Sequence, residues 1–218
     1  MPRCSRKPSV RLEATRRQAL VWLAAGVVGP LLTGCDRALA PGHGSASLFR
    51  GVDISGAEYA RGFQLTDFNG QARRLTDFKG KVVMVYFGFV QCPDVCPTAL
   101  TRAAAVMQQL GPQAADLQVI FVTVDPERDT PELLREYMAS FDPSFLALTG
   151  SPQDIKRTAD EFRVYYKKVS TGSSYTMDHT ALNYLFDRQG HIRLVLRHEQ
   201  PADDYTADIR TLLAEPSA

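Results

Sequence analysis

Hydrophobic and polar positions along the chain predict strands that alternate with helices. Continuous apolar runs are typical of strands buried on both faces, and apolar residues at helical spacing behind a capping residue are typical of helices packed on a sheet. The runs predicted as strands are 81–89, 117–124, 145–148, 181–186 and 192–196. The helices are predicted to begin near Pro97, Asp129, Ser151 and Asp203. Together these elements predict an α/β protein with one sheet of mixed strand direction.

A hairpin is predicted ahead of the first long strand. Within residues 63–78, two short strand-like segments flank Asn69-Gly70, the residue pair favoured by a two-residue type I′ turn. With this hairpin, the order of elements is consistent with a thioredoxin-like architecture. The predicted fold is therefore a central mixed sheet flanked by helices, with an N-terminal hairpin extension.

The first 34 residues are predicted to be a signal peptide. A basic segment is followed by 19–32, a stretch without charge that suits a signal-peptide core and is short for a transmembrane helix. The stretch Leu31-Leu32-Thr33-Gly34-Cys35 resembles a lipobox, in which cleavage falls before the cysteine and leaves it lipidated. Arg16-Arg17 also resembles a twin-arginine export signal, although its usual Phe is absent. An uncleaved membrane anchor is the alternative.

After the predicted signal peptide, the chain divides into a tether and one domain. Residues 35–50 are predicted to be a lipidated anchor and tether, and residues 51–218 a single domain. The segment before Cys35 holds six basic residues and one acidic residue, which leaves 19 basic and 23 acidic residues in the rest of the chain. A mildly acidic body argues against a nucleic-acid partner, which would require a basic face. Cys92 and Cys96 are then the only thiol pair of the predicted domain.

This pair lies directly after the first buried strand, in Cys92-Pro93-Asp94-Val95-Cys96-Pro97. Two such thiols can cycle between dithiol and disulfide, or they can hold a soft metal ion as thiolates. Because each cysteine precedes a proline, both are predicted on an irregular loop, with the helix beginning near Pro97. The helix N-terminus would favour thiolates. An inert disulfide is a weaker alternative, because so short a ring constrains little unfolded-chain entropy.

A third ligand would favour metal binding over redox chemistry. His179 lies in 175–180, a predicted polar loop ahead of a buried strand, whereas His191 and His198 are predicted to be exposed. A solvated loop histidine is the alternative. Two thiolates and one imidazole suit copper, because thiolate is soft enough for Cu(I) and nitrogen allows Cu(II). Structural zinc would require a fourth protein ligand, and the domain has no further cysteine.

With these residues in place, the chain resembles the Sco (SenC) family of thioredoxin-fold copper proteins. The resemblance spans about 63–213, and the joint occurrence of its motifs in one order is specific. The motifs are Phe87-Gly88-Phe89-Val90-Gln91-Cys92-Pro93-Asp94-Val95-Cys96-Pro97, Val122-Thr123-Val124-Asp125-Pro126-Glu127-Arg128-Asp129-Thr130-Pro131 and Asp178-His179-Thr180, with Leu75-Thr76-Asp77-Phe78-Lys79-Gly80-Lys81 ahead of them.

The resemblance implies that copper, as Cu(I) or Cu(II), is bound by Cys92, Cys96 and His179. It also implies a metallochaperone without substrate turnover, anchored on the periplasmic face of the bacterial cytoplasmic membrane. The copper would be delivered to the CuA-bearing subunit of cytochrome c oxidase, with a second periplasmic copper chaperone and a thiol reductase as further partners. Asp178 is a candidate to orient the imidazole, and Asp125 a candidate support near the site. A turn and helix cap is the alternative role for the stretch around Asp125.

The competing interpretation is a thiol:disulfide oxidoreductase with Cys92 and Cys96 as its redox-active pair. Ordinary thioredoxin-like reductases use Cys-x-x-Cys and place a proline loop opposite it. Here the spacing is one residue longer, and the expected facing loop carries Met177-Asp178-His179 without proline. Both differences favour metal binding over thiol:disulfide exchange. A peroxiredoxin-like peroxidase is weaker still, because its Thr-x-x-Cys arrangement is absent.

Overall fold

The structure, a computed structural model, describes residues 48–216 and contains ten strands and four α-helices in that part of the chain. The strands are β1 (Val52–Asp53), β2 (Gln64–Asp67), β3 (Ala72–Arg74), β4 (Val82–Gly88), β5 (Leu117–Thr123), β6 (Leu146–Thr149), β7 (Tyr166–Ser170), β8 (Tyr175–His179), β9 (Leu182–Phe186) and β10 (Ile192–Arg197). The helices are α1 (Val95–Leu110), α2 (Pro131–Ala139), α3 (Pro152–Glu161) and α4 (Ala202–Ala214), with 3-10 turns at Leu75–Phe78 and Gly111–Asp116.

Eight strands form one mixed sheet in the order β1-β10-β9-β4-β5-β6-β2-β3. The β4–β5 and β5–β6 pairs are parallel and the remaining pairs are antiparallel, which confirms the predicted α/β class. All seven residues of β4 are buried. Their apolar side chains require cover on both faces of the sheet, as the continuous hydrophobic run predicts. The carboxyl end of this central strand leads directly into the cysteine segment.

The helix starts follow the predicted capping residues. The Thr130 hydroxyl accepts a hydrogen bond from the backbone N–H of Leu133 at the start of α2, and the Ser151 hydroxyl accepts one from Asp154 at the start of α3. A proline occupies the first turn of each helix, where a missing N–H costs nothing. No helix within residues 48–216 combines the length and the apolar character needed to cross a bilayer.

The predicted hairpin is present, but its turn is of a different type. Asp67 N–H bonds to the carbonyl of Gln71, and the loop between them places Gly70 at φ +78° while Asn69 keeps a negative φ. A type I′ turn requires positive φ at both positions, so that turn prediction was wrong. The wholly buried Asp67 carboxylate decides the geometry, because it accepts the N–H groups of Asn69 and Gln71 at 2.8 and 3.0 Å. Through Thr66, paired with Thr149, the hairpin extends the edge of the main sheet.

A second, two-stranded sheet formed by β7 and β8 was not predicted. β7 is largely exposed and carries the adjacent Lys167 and Lys168, and β8 alternates polar and apolar residues, so neither strand has the continuous apolar run by which buried strands are recognised. Consequently, His179 is the last residue of a strand rather than part of the predicted loop. The predicted signal peptide (1–34), Cys35 and most of the tether lie outside the described residues.

Candidate metal centre

The cysteine segment connects β4 to α1. Cys92 lies in the turn, where its N–H donates to the carbonyl of Phe89 at 3.2 Å, and α1 begins at Val95. Cys96 is therefore the second residue of the helix, so the prediction that both cysteines precede a helix start near Pro97 was wrong for Cys96. Proline is tolerated within the first helical turn because its missing N–H has no intrahelical partner there.

The helix start brings the two thiols together. The backbone N–H of Cys96 points to the Cys92 sulfur at a donor–acceptor distance of 3.5 Å. Both cysteines are free thiols, Cys96 is wholly buried and Cys92 is 8% exposed. A sulfur at a helix N-terminus, facing a free N–H, is stabilised as thiolate. Cys92 is consequently the more accessible and the more anionic of the pair.

His179 approaches from the end of β8. Its Nε2 lies 3.4 Å from the Cys96 sulfur, and its Nδ1 lies 3.2 Å from the carbonyl oxygen of Thr180. Because a carbonyl can only accept, Nδ1 is the nitrogen that donates to Thr180, which leaves Nε2 as the nitrogen that faces the sulfurs. The rings of Phe89 and Tyr86 meet the imidazole edge-on at centroid distances of 5.8 and 6.1 Å. These contacts fix the ring orientation.

The three predicted ligands thus form one cluster. The Cys92 and Cys96 sulfurs and a ring nitrogen of His179 all lie within 4.8 Å of one another. Bonds from sulfur or nitrogen to a bound metal are about 2.0–2.3 Å long, so one ion can reach all three donors with little side-chain movement. Two soft sulfurs and one borderline nitrogen fit a soft metal ion. Within residues 48–216, the cluster contains no fourth histidine, cysteine or carboxylate of the kind a structural zinc site uses.

Hydrogen bonding separates the acidities of the two thiols. The Cys96 thiol donates to the Cys92 sulfur and so lowers the pKa of Cys92, against the opposing effect of burial, with further help from His179. That same bond, together with burial and the neighbouring Cys92 charge, raises the pKa of Cys96. Burial and the adjacent Cys96 raise the pKa of Tyr86, so its hydroxyl remains protonated and points to the Cys96 sulfur at 3.8 Å. In the metal-free site, the thiolate is therefore favoured on Cys92 over Cys96.

Replacing Cys96 by alanine is expected to raise the pKa of Cys92 towards the usual value of about 8.5, because the thiol donor is lost. Alkylation of Cys92 requires the thiolate, so its rate in the metal-free wild-type protein should stay high at pH values where the Cys96→Ala protein has slowed. The measurement is the pH dependence of iodoacetamide labelling, with the modified residue located by mass spectrometry. Cys96→Ser, which retains an O–H donor, should keep the profile at low pH. Equal profiles for the serine and alanine variants would contradict the assigned cause.

The two predicted supporting carboxylates differ in their surroundings. Asp178 is exposed at the rim of the site, because neighbouring residues of a strand face opposite ways. Its carboxylate makes no hydrogen bond to the imidazole, whose Nδ1 contacts Thr180 instead. Asp125 is 2% exposed, and its carboxylate makes no hydrogen bond to the three ligands. It accepts hydrogen bonds from Arg128 at 2.5 Å and from the Tyr175 hydroxyl at 2.9 Å.

Tyr86 is the site residue that sequence reasoning missed. The sequence predicts it only as part of a buried strand, yet its hydroxyl is directed at Cys96. A signal was available, because Tyr86 and Gly88 share one face of β4 and Gly88 leaves room for the cysteine sulfur. The side-chain contacts of Arg128 with Gln91 and Tyr175 carried no comparable signal, because they join segments far apart in the chain.

A shallow cavity of about 360 Å³ opens onto the cluster. It is lined by Phe89, residues 92–95 and residues 176–179. Cys92 and His179 line the cavity, while the Cys96 sulfur lies behind them, beneath Gly88. An ion or a partner's ligand can therefore reach the site from the side of Cys92 and His179.

Fold and site together define the class of protein. It has a thioredoxin-like fold in which two cysteines and one histidine form a group of donors suited to a soft metal ion. Residues 52–214 match the SCO1/SenC family model. The chain belongs to the SCO1/SenC family, as the sequence motifs predict.

Relatives and solved structures agree with this assignment. A SCO2-like protein of Rickettsia prowazekii is 40% identical over 131 residues, which cover 59% of this chain and 64% of the relative's own length. The structure of Bradyrhizobium japonicum ScoI with copper bound is 43% identical with a TM-score of 0.65, covering 70% of this chain and 98% of that one. The structure of a SCO1/SenC family lipoprotein from Bacillus anthracis is 28% identical with a TM-score of 0.61, covering 69% of this chain and 92% of that one.

Proposed function

We propose that this protein binds one copper ion through Cys92, Cys96 and His179 and passes it to another protein. The observation that carries the proposal is the cluster itself, with two sulfurs and one imidazole nitrogen within 4.8 Å. Thiolate ligands favour Cu(I), and the nitrogen makes the same set suitable for Cu(II). ScoI of Bradyrhizobium japonicum, which is 43% identical to this chain, has been solved with copper bound.

Transfer, rather than permanent storage, is favoured by the small number of ligands. Three protein donors leave room for an incoming ligand from a partner, so the ion can move by ligand exchange without first being released to water. The cavity gives such a partner access on the Cys92 and His179 side. The family resemblance directs the proposal to cytochrome c oxidase assembly, with the CuA-bearing subunit as the recipient. A second periplasmic copper chaperone would supply the ion, and a thiol reductase would keep the cysteines reduced.

The proposed location is the periplasmic face of the bacterial cytoplasmic membrane. Residues 1–34 are proposed as a lipoprotein-type signal peptide, Cys35 as the lipidated residue, and 35–50 as the tether of a copper-binding domain at 51–218. The Bacillus anthracis relative, described as a SCO1/SenC family lipoprotein, supports the anchor.

Copper stoichiometry on the reduced protein tests the proposal directly. Cu(I) and Cu(II) are titrated into the reduced wild-type chain and into a Cys92→Ser/Cys96→Ser variant, with chelator competition and absorption spectroscopy as readouts. We expect one copper per wild-type chain and a thiolate-to-Cu(II) charge-transfer band, with both lost in the double variant. Stoichiometric binding that survives loss of both sulfurs would overturn the assigned site.

A thiol:disulfide oxidoreductase acting on the cysteines of a copper-site partner is the second candidate. The specific observation in its favour is the lowered pKa of Cys92, because a thiolate is also the attacking group in disulfide exchange. The discriminating measurement is turnover of a disulfide substrate by the metal-free protein, compared between the wild type and His179→Ala. Multiple turnovers that are insensitive to His179, at a reduction potential typical of dedicated reductases, would favour this candidate over copper transfer.

A further inference from the structure

The two halves of the metal cluster belong to different parts of the fold. Both cysteines are attached to the main sheet through β4 and α1, whereas His179 belongs to the separate β7–β8 sheet. The three donors can act together only if β8 is held at a fixed distance from the cysteine segment. The residues that provide this connection therefore control the geometry of the site.

Phe89 and Tyr86 contact the imidazole itself, and Arg128 joins the two halves by hydrogen bonds. Arg128 Nη1 donates to the Gln91 side-chain oxygen at 2.9 Å, next to Cys92 in the chain, and to the Tyr175 carbonyl oxygen at 2.8 Å, in the same strand as His179. Its Nε donates to Asp125 at 2.5 Å. The guanidinium carbon also lies 3.7 Å from the centroid of the Tyr175 ring. Arginine is suited to this role because its planar fork can make several directed hydrogen bonds and stack at the same time.

Tyr175, which Arg128 contacts, and His179 belong to the same strand, β8. Tyr175, Met177 and His179 share one face of β8, because alternate residues of a strand point the same way. Met177 is 7% exposed, so this face is packed against the rest of the domain. Four residues of strand span about 13 Å, so Tyr175 and His179 mark the two ends of the packed face. Fixing Tyr175 thus fixes the direction in which His179 is presented.

The loop that bears Arg128 is itself anchored to the cysteine side. Asp129, which is 1% exposed, accepts hydrogen bonds from the Val90 N–H at 3.1 Å and from the Thr123 hydroxyl at 2.6 Å. Asp125 accepts the Tyr175 hydroxyl at 2.9 Å. The loop after β5 therefore contacts the cysteine segment through Asp129 and Arg128, and β8 through Asp125 and Arg128.

We propose that Arg128 is a positioning residue, which sets the spacing between the cysteine sulfurs and the His179 imidazole by joining Gln91 to Tyr175. The inference rests on the proposed ligand set, because it concerns the third ligand of that site. Arg128 makes no hydrogen bond to any of the ligands, so its effect on the metal passes through His179. Loss of such an outer partner typically lowers metal affinity about 10–100-fold.

The test is a double-mutant cycle on Cu(II) affinity with Arg128→Ala, His179→Ala and the combined variant, measured on the reduced chain by chelator competition. We expect Arg128→Ala to weaken binding about 10–100-fold in the wild-type background. In the His179→Ala background it should change affinity by less than about threefold, because the residue it positions is absent. A purely structural role would produce the same loss in both backgrounds and would overturn the proposal.

Arg193→Ala is the matched control. Arg193 is also a largely buried arginine, with 19% side-chain exposure against 16% for Arg128, and it forms a bidentate ion pair with Glu215. Its loss should lower the melting temperature and leave Cu(II) affinity unchanged. Gln91 is exposed, and Gln91→Ala removes only the hydrogen bond between Arg128 and the cysteine segment. This variant keeps the test available if Arg128→Ala folds poorly. We expect it to weaken binding severalfold, again only when His179 is present.

A metal-free readout completes the design. In the Arg128→Ala protein, amide hydrogens of residues 175–179 should exchange faster than in the wild type, while those of 82–88 should be unchanged. Unchanged exchange in β8 together with wild-type Cu(II) affinity would overturn the positioning role. If His179→Ala itself left copper affinity unchanged, the proposed ligand set would fail instead, so the two failures are distinguishable.

Discussion

His179→Ala is expected to weaken copper binding by about 100-fold or more while leaving the domain folded. Loss of a group that only supports a ligand costs about 10–100-fold in metal affinity, so loss of the ligand itself should cost at least the upper part of that range. The effect should be larger for Cu(II) than for Cu(I), because two thiolates still suit the softer ion and the nitrogen is needed chiefly by Cu(II). Chelator competition with each oxidation state measures the difference.

The fold should tolerate this change because His179 is only partly buried at the end of a strand. Its edge-on contacts with Phe89 and Tyr86 are worth about 1–3 kcal/mol together, which is less than the roughly 5–15 kcal/mol that typically separates the folded from the unfolded state of a domain. His191→Ala is the control, because that side chain is 77% exposed and lies outside the cluster. Equal copper affinity of the His179→Ala and His191→Ala proteins would contradict the proposal that His179 is a ligand.

Gly88→Ala is expected to damage both stability and metal binding. A Cβ added at Gly88 would lie 2.7 Å from a ring carbon of Phe121, 2.8 Å from the Cys96 sulfur and 3.0 Å from a ring carbon of Tyr86. All three neighbours are buried, so none can move aside freely. Overpacking of this kind costs about 1–3 kcal/mol. Any relief achieved by moving Cys96 displaces a proposed ligand, so copper affinity should fall together with the unfolding free energy.

Urea unfolding and copper competition on the same Gly88→Ala protein measure the two effects. Adding Phe121→Leu should restore part of the unfolding free energy, because it relieves one of the close contacts. Copper affinity should stay low in that double variant, because the approach to the Cys96 sulfur remains. A Gly88→Ala protein with wild-type stability and wild-type affinity would contradict the close packing of β4 against Cys96.

The main sheet was largely predictable because its signals are local. The apolar run of β4 and the capping residues Thr130 and Ser151 depend only on residues close to them in the chain, so they can be recognised in the sequence. The small β7–β8 sheet was not predictable in the same way. Its two strands pair with each other, and neither the exposed, lysine-containing β7 nor the short, mixed β8 has the continuous apolar run that marks a buried strand.

Helix and turn boundaries were predicted less well, for a related reason. The proline rule placed the helix start after Cys96, but a first-turn proline costs little, and α1 begins at Val95. Asn69-Gly70 favoured a type I′ turn, but the buried Asp67 carboxylate captured two backbone N–H groups and produced another turn. In both cases a specific hydrogen-bonding or steric detail outweighed a general preference.

The sequence by itself determined the chemistry available to this protein. It identified the soft donors Cys92 and Cys96, the histidine that could complete them, and the motifs that assign the chain to its family. Only the tertiary structure decided how these groups meet, with Nε2 of His179 3.4 Å from the Cys96 sulfur. Only the structure placed Tyr86 against the sulfur and Arg128 between the two halves of the site. Donor identity is a property of single residues, whereas donor geometry depends on packing between segments that are distant in the chain.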